Sequence, residues 1–235
     1  MSSTDQSETH LPSEEELQAW FAGGEFTYKD YVSNKIGRWA EVLGPLREQK
    51  LEVLEIGALE GRSALFFLNY LPRSHLTCID PFPKGLEAVF DRNLSGFSGR
   101  LEKMRAYSLP ALIELRHRDR RFDLIYIDGD HRREAVTLDS VLSWPMLRRG
   151  GILIWDDYVY KVGGPLPERP APAIDGFLVA HAGEYEELHR GKQIIVRKIV
   201  EAQLPRLRVK VDGVERRPSG WRKRLGRLWR AGKGR

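Results

Sequence analysis

Short apolar runs alternate along the chain with stretches that carry apolar residues at helical spacing. The runs LEVLEI, HLTCI, FDLIYI and GILIW are rich in Val, Ile and Leu and lack clean alternation of polar and apolar positions. Such runs indicate strands that are buried on both faces. Helical stretches of about ten residues separate them, so the order predicts βαβ units and a parallel sheet.

Two further strands complete the predicted sheet, because 185–189 and 193–199 flank a hairpin-like turn, HRGK. The fold prediction is α/β: a Rossmann-like, doubly wound, seven-stranded sheet, mostly parallel, with an antiparallel C-terminal hairpin and N-terminal helices. The other predicted strands are 51–56, 75–79, 101–106, 122–127 and 151–155. Helices are predicted from Glu14, capped by Ser13, to the glycines at 23 and 24, and at 29–46, 62–71, 84–94, 109–117, 132–147 and 174–182.

Two of the predicted helices have an apolar face that we expect to meet the sheet or its neighbours. In the helix at 29–46 this face consists of Tyr31, Ile36, Trp39, Ala40 and Leu43. In the helix at 132–147 it consists of Ala135, Leu138, Val141 and Leu142.

Composition and charge divide the chain into three parts. A length of 235 residues suits one α/β domain, which we place at 13–203, after a disordered N-terminus at 1–12. Residues 206–235 hold twelve Lys/Arg and two acids, a net charge of +10, whereas residues 1–205 carry −5. The basic charge therefore belongs to a C-terminal tail, 204–235, which we consider separately.

The remaining composition points to a cytoplasmic protein. One cysteine, Cys78, excludes an internal disulfide, and we expect it in the core. The polar, acidic N-terminus is not expected to be a signal peptide, and no apolar run approaches the ~20 residues of a membrane span. In the tail, Trp221, Leu225, Leu228 and Trp229 would share one helical face surrounded by arginines. That pattern suits an anionic membrane surface, nucleic acid, or simple packing on the domain or a solubilising role.

Acidic side chains end four of the first five predicted strands, where this fold binds ligands. Strand one leads into GALEG at 57–61, strand two ends in Asp80, and strand three ends in AYS at 106–108. Strand four ends in DGDH at 128–131, and strand five ends in Asp156 and Asp157.

The loop GALEG lacks the middle glycine of a dinucleotide site, which argues against NAD. A nucleoside ligand without phosphates fits better, with Asp80 chelating both ribose hydroxyls.

These motifs, in this order, resemble class I S-adenosylmethionine-dependent O-methyltransferases over roughly residues 50–160. The resemblance rests on EIGALEG at 55–61, Asp80, FDLIYIDGDH at 122–131 and RRGGILIWDDY at 148–158. It implies that Glu55, Gly57 and Gly61 shape the pocket around the methionine part of the cofactor. It also implies that Asp80 binds the ribose and that Tyr107 and Ser108 lie by the adenine.

The resemblance also implies a metal and a base. In cation-dependent relatives of the catechol, caffeoyl-CoA and macrolide-sugar types, acids that end strands four and five hold Mg²⁺, and Asp128, Asp156 and Asp157 match those positions. Mg²⁺ prefers oxygen ligands and would fix the acceptor hydroxyl. The catechol type has a base lysine three residues after the strand-four acid. This chain has His131 there, as the macrolide-sugar enzymes do, which favours an aliphatic hydroxyl of a small-molecule or sugar-containing acceptor.

Simpler interpretations stay open at this stage. Asp80 could cap the turn into Pro81, Asp156 and Asp157 could form a solvated turn, and His131 could be structural. Asp130 could merely cap the following helix. Trp20, Phe21 and Tyr28 could form a lid or pack in the core. The alternative functions are a metal-independent methyltransferase, an RNA methyltransferase recruited by the tail, and a catalytically silent Rossmann module that binds membrane or RNA. The oligomeric state is not predicted.

Overall fold

The computed structural model describes residues 11–201, 209–211 and 214–216, which fall into two compact units divided between residues 202 and 203. The second unit contributes a small antiparallel pair, Val209–Val211 with Val214–Arg216. The helical face predicted for the tail at 221–229 and most of the disorder predicted for 1–12 lie outside the described residues. No helix in the described part of the chain is long and apolar enough to cross a membrane.

The first unit is built on a seven-stranded sheet in the order β3-β2-β1-β4-β5-β7-β6. The strands β1 to β5 pair in parallel, and β7 runs antiparallel to both β5 and β6. The predicted fold class is therefore confirmed. The strands are β1 Glu52–Ile56, β2 His75–Asp80, β3 Leu101–Arg105, β4 Phe122–Ile127, β5 Leu147–Trp155, β6 Tyr185–Arg190 and β7 Ile194–Lys198.

Seven α-helices cover the sheet. They are α1 Glu14–Phe21, α2 Ile36–Leu43, α3 Arg62–Tyr70, α4 Leu86–Asn93, α5 Ser108–His117, α6 Arg133–Ser143 and α7 Ala171–Ala180. Helix α1 begins with a capping box, in which the amide of Glu16 donates to the Ser13 hydroxyl and the Glu16 carboxylate accepts from the Ser13 amide.

The helix predicted at 29–46 is shorter than the sequence pattern indicated. Asp30 accepts hydrogen bonds from the backbone amides of Val32 and Ser33, which favours a turn over a helix at this point. The helix proper spans Ile36–Leu43, between single 3-10 turns at 33–35 and 44–46. Tyr31, which was placed on the apolar face, is instead 56% exposed.

The apolar face predicted for the helix at 132–147 was wrong in part: Leu142 is half-buried and packs against the apolar core, but two other members are not buried. Leu138 and Val141 are exposed, whereas α6 buries Val136, Asp139, Ser140 and Ser143. The buried positions keep helical spacing but include small polar residues, one of which, Ser140, accepts a hydrogen bond from Trp155 Nε1 at 2.8 Å. The helix ends at Ser143, two residues before Pro145, which cannot continue a helical hydrogen-bond ladder.

Each face of the sheet has its own apolar core. On one face, Trp39 of α2 stacks on Phe67 of α3 with ring centroids 5.0 Å apart. On the other, Trp155 meets Phe177 of α7 at 5.3 Å. Cys78 is fully buried, as predicted. Trp20 and Phe21 pack against the first core, whereas Tyr28 is 40% exposed and lines the cleft described below.

Candidate active site

A cleft of about 1290 Å³ lies at the carboxyl ends of the parallel strands. Its walls are the residues that follow β1, β2, β4 and β5, together with the start of α5 and the turn between β6 and β7. The segment between residues 28 and 41, which precedes the sheet in sequence, covers one side. Every strand end that carries a predicted site residue therefore opens into one space, which is large enough for a nucleoside and a second small molecule.

The glycines after β1 are required by backbone geometry. Gly57 has φ +89°, and a Cβ atom there would lie 2.1 Å from the carbonyl oxygen of Asp128. Gly61 has φ +85° at the start of α3, and a Cβ atom would come within 3.1 Å of Leu94. Both positions are in the left-handed region that favours glycine. Of the two, Gly57 lines the cleft.

Glu55 lies behind the cleft wall. It is fully buried and accepts hydrogen bonds from the Ser63 hydroxyl and, at 3.2 Å, from the Cys78 thiol. Burial raises the pKa of its carboxyl to about 8, although the two hydrogen bonds act in the opposite direction. In this position Glu55 fixes the strand end and the start of α3, and its predicted contact with the cofactor stays a prediction.

Asp80 lines the cleft and also organises the loop opposite. Its Oδ2 accepts from the backbone amides of Ala58 and Leu59 at 3.0 and 2.9 Å, and Oδ1 accepts from the amide of Phe82 at 2.6 Å. It therefore does cap the turn, as the simpler interpretation held. Because a carboxylate oxygen offers more than one lone pair, this cap does not by itself exclude a ribose hydroxyl.

Glu60 ties the segment before the sheet to the loop after β1. Its carboxylate accepts from the amide and hydroxyl of Thr27, the amide at 2.8 Å, and from the amide of Tyr28 at 3.1 Å. Glu60 therefore anchors residues that cover the cleft.

Tyr107 and Ser108 lie where strand three leads into α5, on the rim of the cleft. Tyr107 is 75% exposed, which leaves its ring free for a ligand to stack on. Their predicted position beside the adenine stays a prediction.

The three aspartates after β4 and β5 have unequal surroundings. Asp156 is buried, its Oδ1 accepts from the amide of Asp157 at 2.7 Å, and its Oδ2 contacts both the Lys35 ammonium and the Tyr126 hydroxyl. The same hydroxyl lies 2.7 Å from Asp128 Oδ2. Burial, followed by the charge of Asp156, raises the pKa of Asp128 to about 6. Burial likewise raises the pKa of Asp157.

His131 stands between two of these carboxylates. Its Nε2 lies 3.1 Å from Asp157 Oδ2 and 3.6 Å from Asp128 Oδ1, and its ring packs edge-on against Tyr160 at 4.9 Å. The interaction with Asp128 raises the pKa of His131, and the charge of Asp157 adds to this effect, against an opposing contribution from burial. The arrangement holds the imidazole in place and stabilises a proton on it.

The ligand atoms of Asp128, His131 and Asp157 come within 4.8 Å of one another. Two carboxylates and an imidazole suit a divalent cation, and the carboxylates suit Mg²⁺ in particular. The set differs from the three predicted aspartates, because His131 belongs to the group and Asp156 is engaged by Lys35 and Tyr126. The Asp130 carboxylate instead pairs with the Arg132 side chain and accepts from the Arg132 amide at 2.9 Å, but it does not cap α6, whose N-cap residue Arg132 has no side-chain cap hydrogen bond.

Two residues that contact the aspartates at the cleft were not predicted. Tyr126 lies on β4, two residues before Asp128. Side chains two residues apart along a strand point to the same face, so the sequence carried a signal for this contact. Lys35 lies 121 residues from Asp156 in the chain, and no local motif marks it.

Residues 54–158 match the model of a protein family described as a methyltransferase domain. A curated protein of Acanthamoeba polyphaga mimivirus, described as uncharacterized, is 29% identical over 117 residues, which cover 46% of this chain and 52% of the viral protein. The matched stretch thus spans about half the length of that relative.

Solved methyltransferase structures share the fold. MycE from the mycinamycin biosynthetic pathway, in complex with Mg, SAH and mycinamycin VI, superposes with a TM-score of 0.62 at 18% identity. The likeness covers 81% of this chain and 56% of the MycE chain. An O-methyltransferase of Bacillus cereus in complex with SAH superposes with a TM-score of 0.59 at 17% identity, over 80% of this chain and 93% of that one. At these identities the likeness establishes the fold.

Proposed function

We propose that this chain is an S-adenosylmethionine-dependent O-methyltransferase acting on a hydroxyl of a small-molecule or sugar-containing metabolite, because residues 54–158 match the family model of a methyltransferase domain. The observation that carries the proposal is the single cleft that joins the Gly57 loop and Asp80 to the cluster of Asp128, His131 and Asp157. The proposed cofactor site and the proposed base thus open into the same space.

The cofactor would lie along the first half of the cleft. Gly57 lets the loop approach the end of β4, and Asp80 holds the amides of that loop in place. In this proposal Glu55, Gly57 and Gly61 shape the pocket around the methionine part, Asp80 binds the ribose, and Tyr107 and Ser108 lie by the adenine. The SAH in the MycE and Bacillus cereus structures supports this choice of cofactor.

The proposed reaction is an in-line displacement. The acceptor oxygen forms a bond to the methyl carbon, the carbon–sulfur bond breaks, and S-adenosylhomocysteine leaves as a neutral thioether. The hydroxyl proton passes to the imidazole of His131. Asp128 and Asp157 both lie close to its Nε2 and would stabilise the imidazolium that forms. Holding both reactants in one cleft supplies the alignment that the displacement requires.

Mg²⁺ is part of the proposal. Asp128 and Asp157 would hold it in the arrangement described here, and Asp156 would join them if Lys35 withdrew. A bound cation would lower the pKa of the acceptor hydroxyl and fix its position. The Mg in the MycE complex supports the idea, and the donor set of this chain is compatible with it.

The domain limits, the cytoplasmic location and the partners of the tail also remain proposals. We assign the methyltransferase domain to 13–203 and the basic tail to 204–235, with an anionic membrane or nucleic acid as the tail's candidate partners.

Transfer of a labelled methyl group from S-adenosylmethionine to a panel of catechols and glycosides tests the proposal. We expect a labelled product whose formation falls when EDTA removes divalent cations and falls in Asp157→Ala. Asp130→Ala is the matched control, since its carboxylate pairs with Arg132 outside the cluster, and it should retain activity. Full activity in EDTA and in Asp157→Ala would remove Mg²⁺ from the account. If the wild type labels no member of the panel, O-methylation of these acceptors is contradicted.

A further inference from the structure

Lys35 brings a positive charge into the acidic end of the cleft from outside the sheet. It ends the 3-10 turn Ser33–Lys35, immediately before α2, and its side chain is 16% exposed. The ammonium contacts Asp156 Oδ2, lies 3.4 Å from the Tyr126 hydroxyl and lies 3.9 Å from Asp128 Oδ2. It therefore stands between the ends of β4 and β5.

Both carboxylate oxygens of Asp156 already have partners in this arrangement. Oδ1 accepts from the amide of Asp157, and Oδ2 is shared by Lys35 and Tyr126. The side chain of Asp156 is 2% exposed, against 23% for Asp128 and 38% for Asp157. The two more accessible carboxylates are those that converge on His131.

We propose that Lys35 is a positioning residue that occupies Asp156 and competes with a divalent cation for the acidic end of the cleft. The inference rests on the metal site of the proposed function and does not depend on methyl transfer. The Lys35 ammonium lies 3.9 Å from Asp128 Oδ2 and therefore repels a cation held by Asp128. Such a cation gains Asp156 as a ligand when the ammonium withdraws.

The segment that carries Lys35 is held in place by other contacts. Residues 27 and 28 are held by Glu60, and Asp30 bonds to Ser33 and contacts Arg62 at 3.4 Å. Val32 and Ile36, on either side of Lys35, are buried in the core, so the backbone stays in place when the Lys35 side chain withdraws.

Calorimetric titration of the full chain with Mg²⁺ tests the proposal. Lys35→Met removes the charge and keeps an unbranched side chain, so we expect it to bind Mg²⁺ about 10-fold or more tightly than the wild type. Lys29→Met is the control, because Lys29 also lines the cleft but has no ion pair recorded among the described residues. It should leave the affinity within about 2-fold of the wild type.

A second substitution shows which carboxylate is released. In the Lys35→Met background, Asp156→Asn should cancel the gain in Mg²⁺ affinity, because the freed ligand is then lost. Lys35→Gln serves as a second neutral variant if Lys35→Met does not fold. Unchanged or weaker Mg²⁺ binding in the neutral variants, or no Mg²⁺ binding by any of these proteins, would overturn the proposal.

S-adenosylmethionine binding by the same samples keeps the two proposals apart. Wild type that binds no cofactor contradicts the proposed function, while the comparison of Mg²⁺ affinities still decides the role of Lys35. Wild type that binds cofactor while Lys35 variants bind Mg²⁺ no better contradicts the role of Lys35 alone.

Discussion

His131 is the residue whose surroundings bear most directly on proton transfer. One nitrogen faces two carboxylates, and the ring is held by Tyr160. A neutral imidazole in this position can accept a proton, and the neighbouring charges stabilise it once it has done so. The same charges raise the pKa of His131, so a larger fraction of the free protein carries a protonated, inactive base at neutral pH.

Substitution of His131 by Ala should lower turnover about 10²- to 10⁴-fold if it is the base. The wild-type kcat/KM should rise with pH as His131 loses its proton, since the base must be deprotonated, and this limb should vanish in His131→Ala. His117→Ala, at an exposed position on α5, is the control. A near-wild-type rate in His131→Ala would show that His131 is not the base and has a structural role.

Asp139 is a second buried carboxyl, on α6, at 1% exposure. Neither oxygen has a hydrogen-bond partner of good geometry among the described residues, although Ser108 is near enough to oppose the effect of burial. Burial nonetheless raises the pKa of Asp139 from 3.8 to about 6. The folded state therefore holds this proton more tightly than the unfolded state does.

The contribution of Asp139 to the free energy of unfolding of the wild type should fall as pH rises from about 4 to about 6. In that window Asp139 has lost its proton in the unfolded chain but keeps it in the folded protein. In Asp139→Asn this dependence is absent. The free energy of unfolding of the variant should gain up to about 3 kcal/mol relative to wild type between pH 4 and pH 7. Urea titrations at several pH values measure this. Asp119→Asn, at an exposed site, is the control, and a constant difference between Asp139→Asn and wild type would contradict the prediction.

At the scale of elements, the segment before α2 is attached to the cleft chiefly through side-chain contacts. Glu60 accepts three hydrogen bonds from Thr27 and Tyr28, and Asn93 of α4 donates to the carbonyl oxygens of Glu25 and Glu60. Because the segment supplies cleft residues but no strand, its order depends on these few contacts.

Replacing Glu60 by Ala should loosen this segment. Backbone amides between residues 25 and 32 should exchange hydrogen faster, and affinity for S-adenosylmethionine should fall about 10-fold, since binding must then restore the order of the cover. Hydrogen-exchange mass spectrometry and calorimetry measure the two effects. Glu48→Ala, at an exposed position, should change neither. Unchanged exchange in Glu60→Ala would mean that other contacts hold the segment.

The elements were largely predictable because their signals are local. Apolar runs such as FDLIYI mark buried strands, and carboxyl ends of parallel strands meet at one edge, so Asp128 and Asp157 could be brought together in advance. The buried face of α6 was missed because Asp139, Ser140 and Ser143 are polar, and their burial depends on partners such as Trp155. Lys35 was missed because its contact with Asp156 follows from tertiary packing alone.

At the scale of the whole chain, the described cleft residues and the basic charge lie in different parts of the sequence. Among the described residues, those that line the cleft lie between 28 and 193. The net charge of +10 is carried after residue 205, so the tail dominates the basic character of the protein without supplying a described cleft residue. An interaction with membranes or nucleic acid would therefore be expected to depend on the tail rather than on the cleft.

Deletion of residues 204–235 should leave affinity for S-adenosylmethionine within about 2-fold of the full chain, because the cleft is retained. Binding to anionic vesicles or to RNA, if the full chain shows either, should be lost with the tail. Vesicle sedimentation and filter binding at several salt concentrations measure this. A large loss of cofactor affinity would show that the tail contributes to the methyltransferase domain.

Calorimetric titration of the full chain with S-adenosylmethionine tests the central claim most directly, because it needs no knowledge of the acceptor. We expect binding of one cofactor per chain. In Gly57→Ala binding should be lost, because the new Cβ atom would meet the carbonyl oxygen of Asp128, whereas Gly96→Ala, in open space, should bind as the wild type does. No heat of binding to the wild type at about 1 mM cofactor would contradict the account.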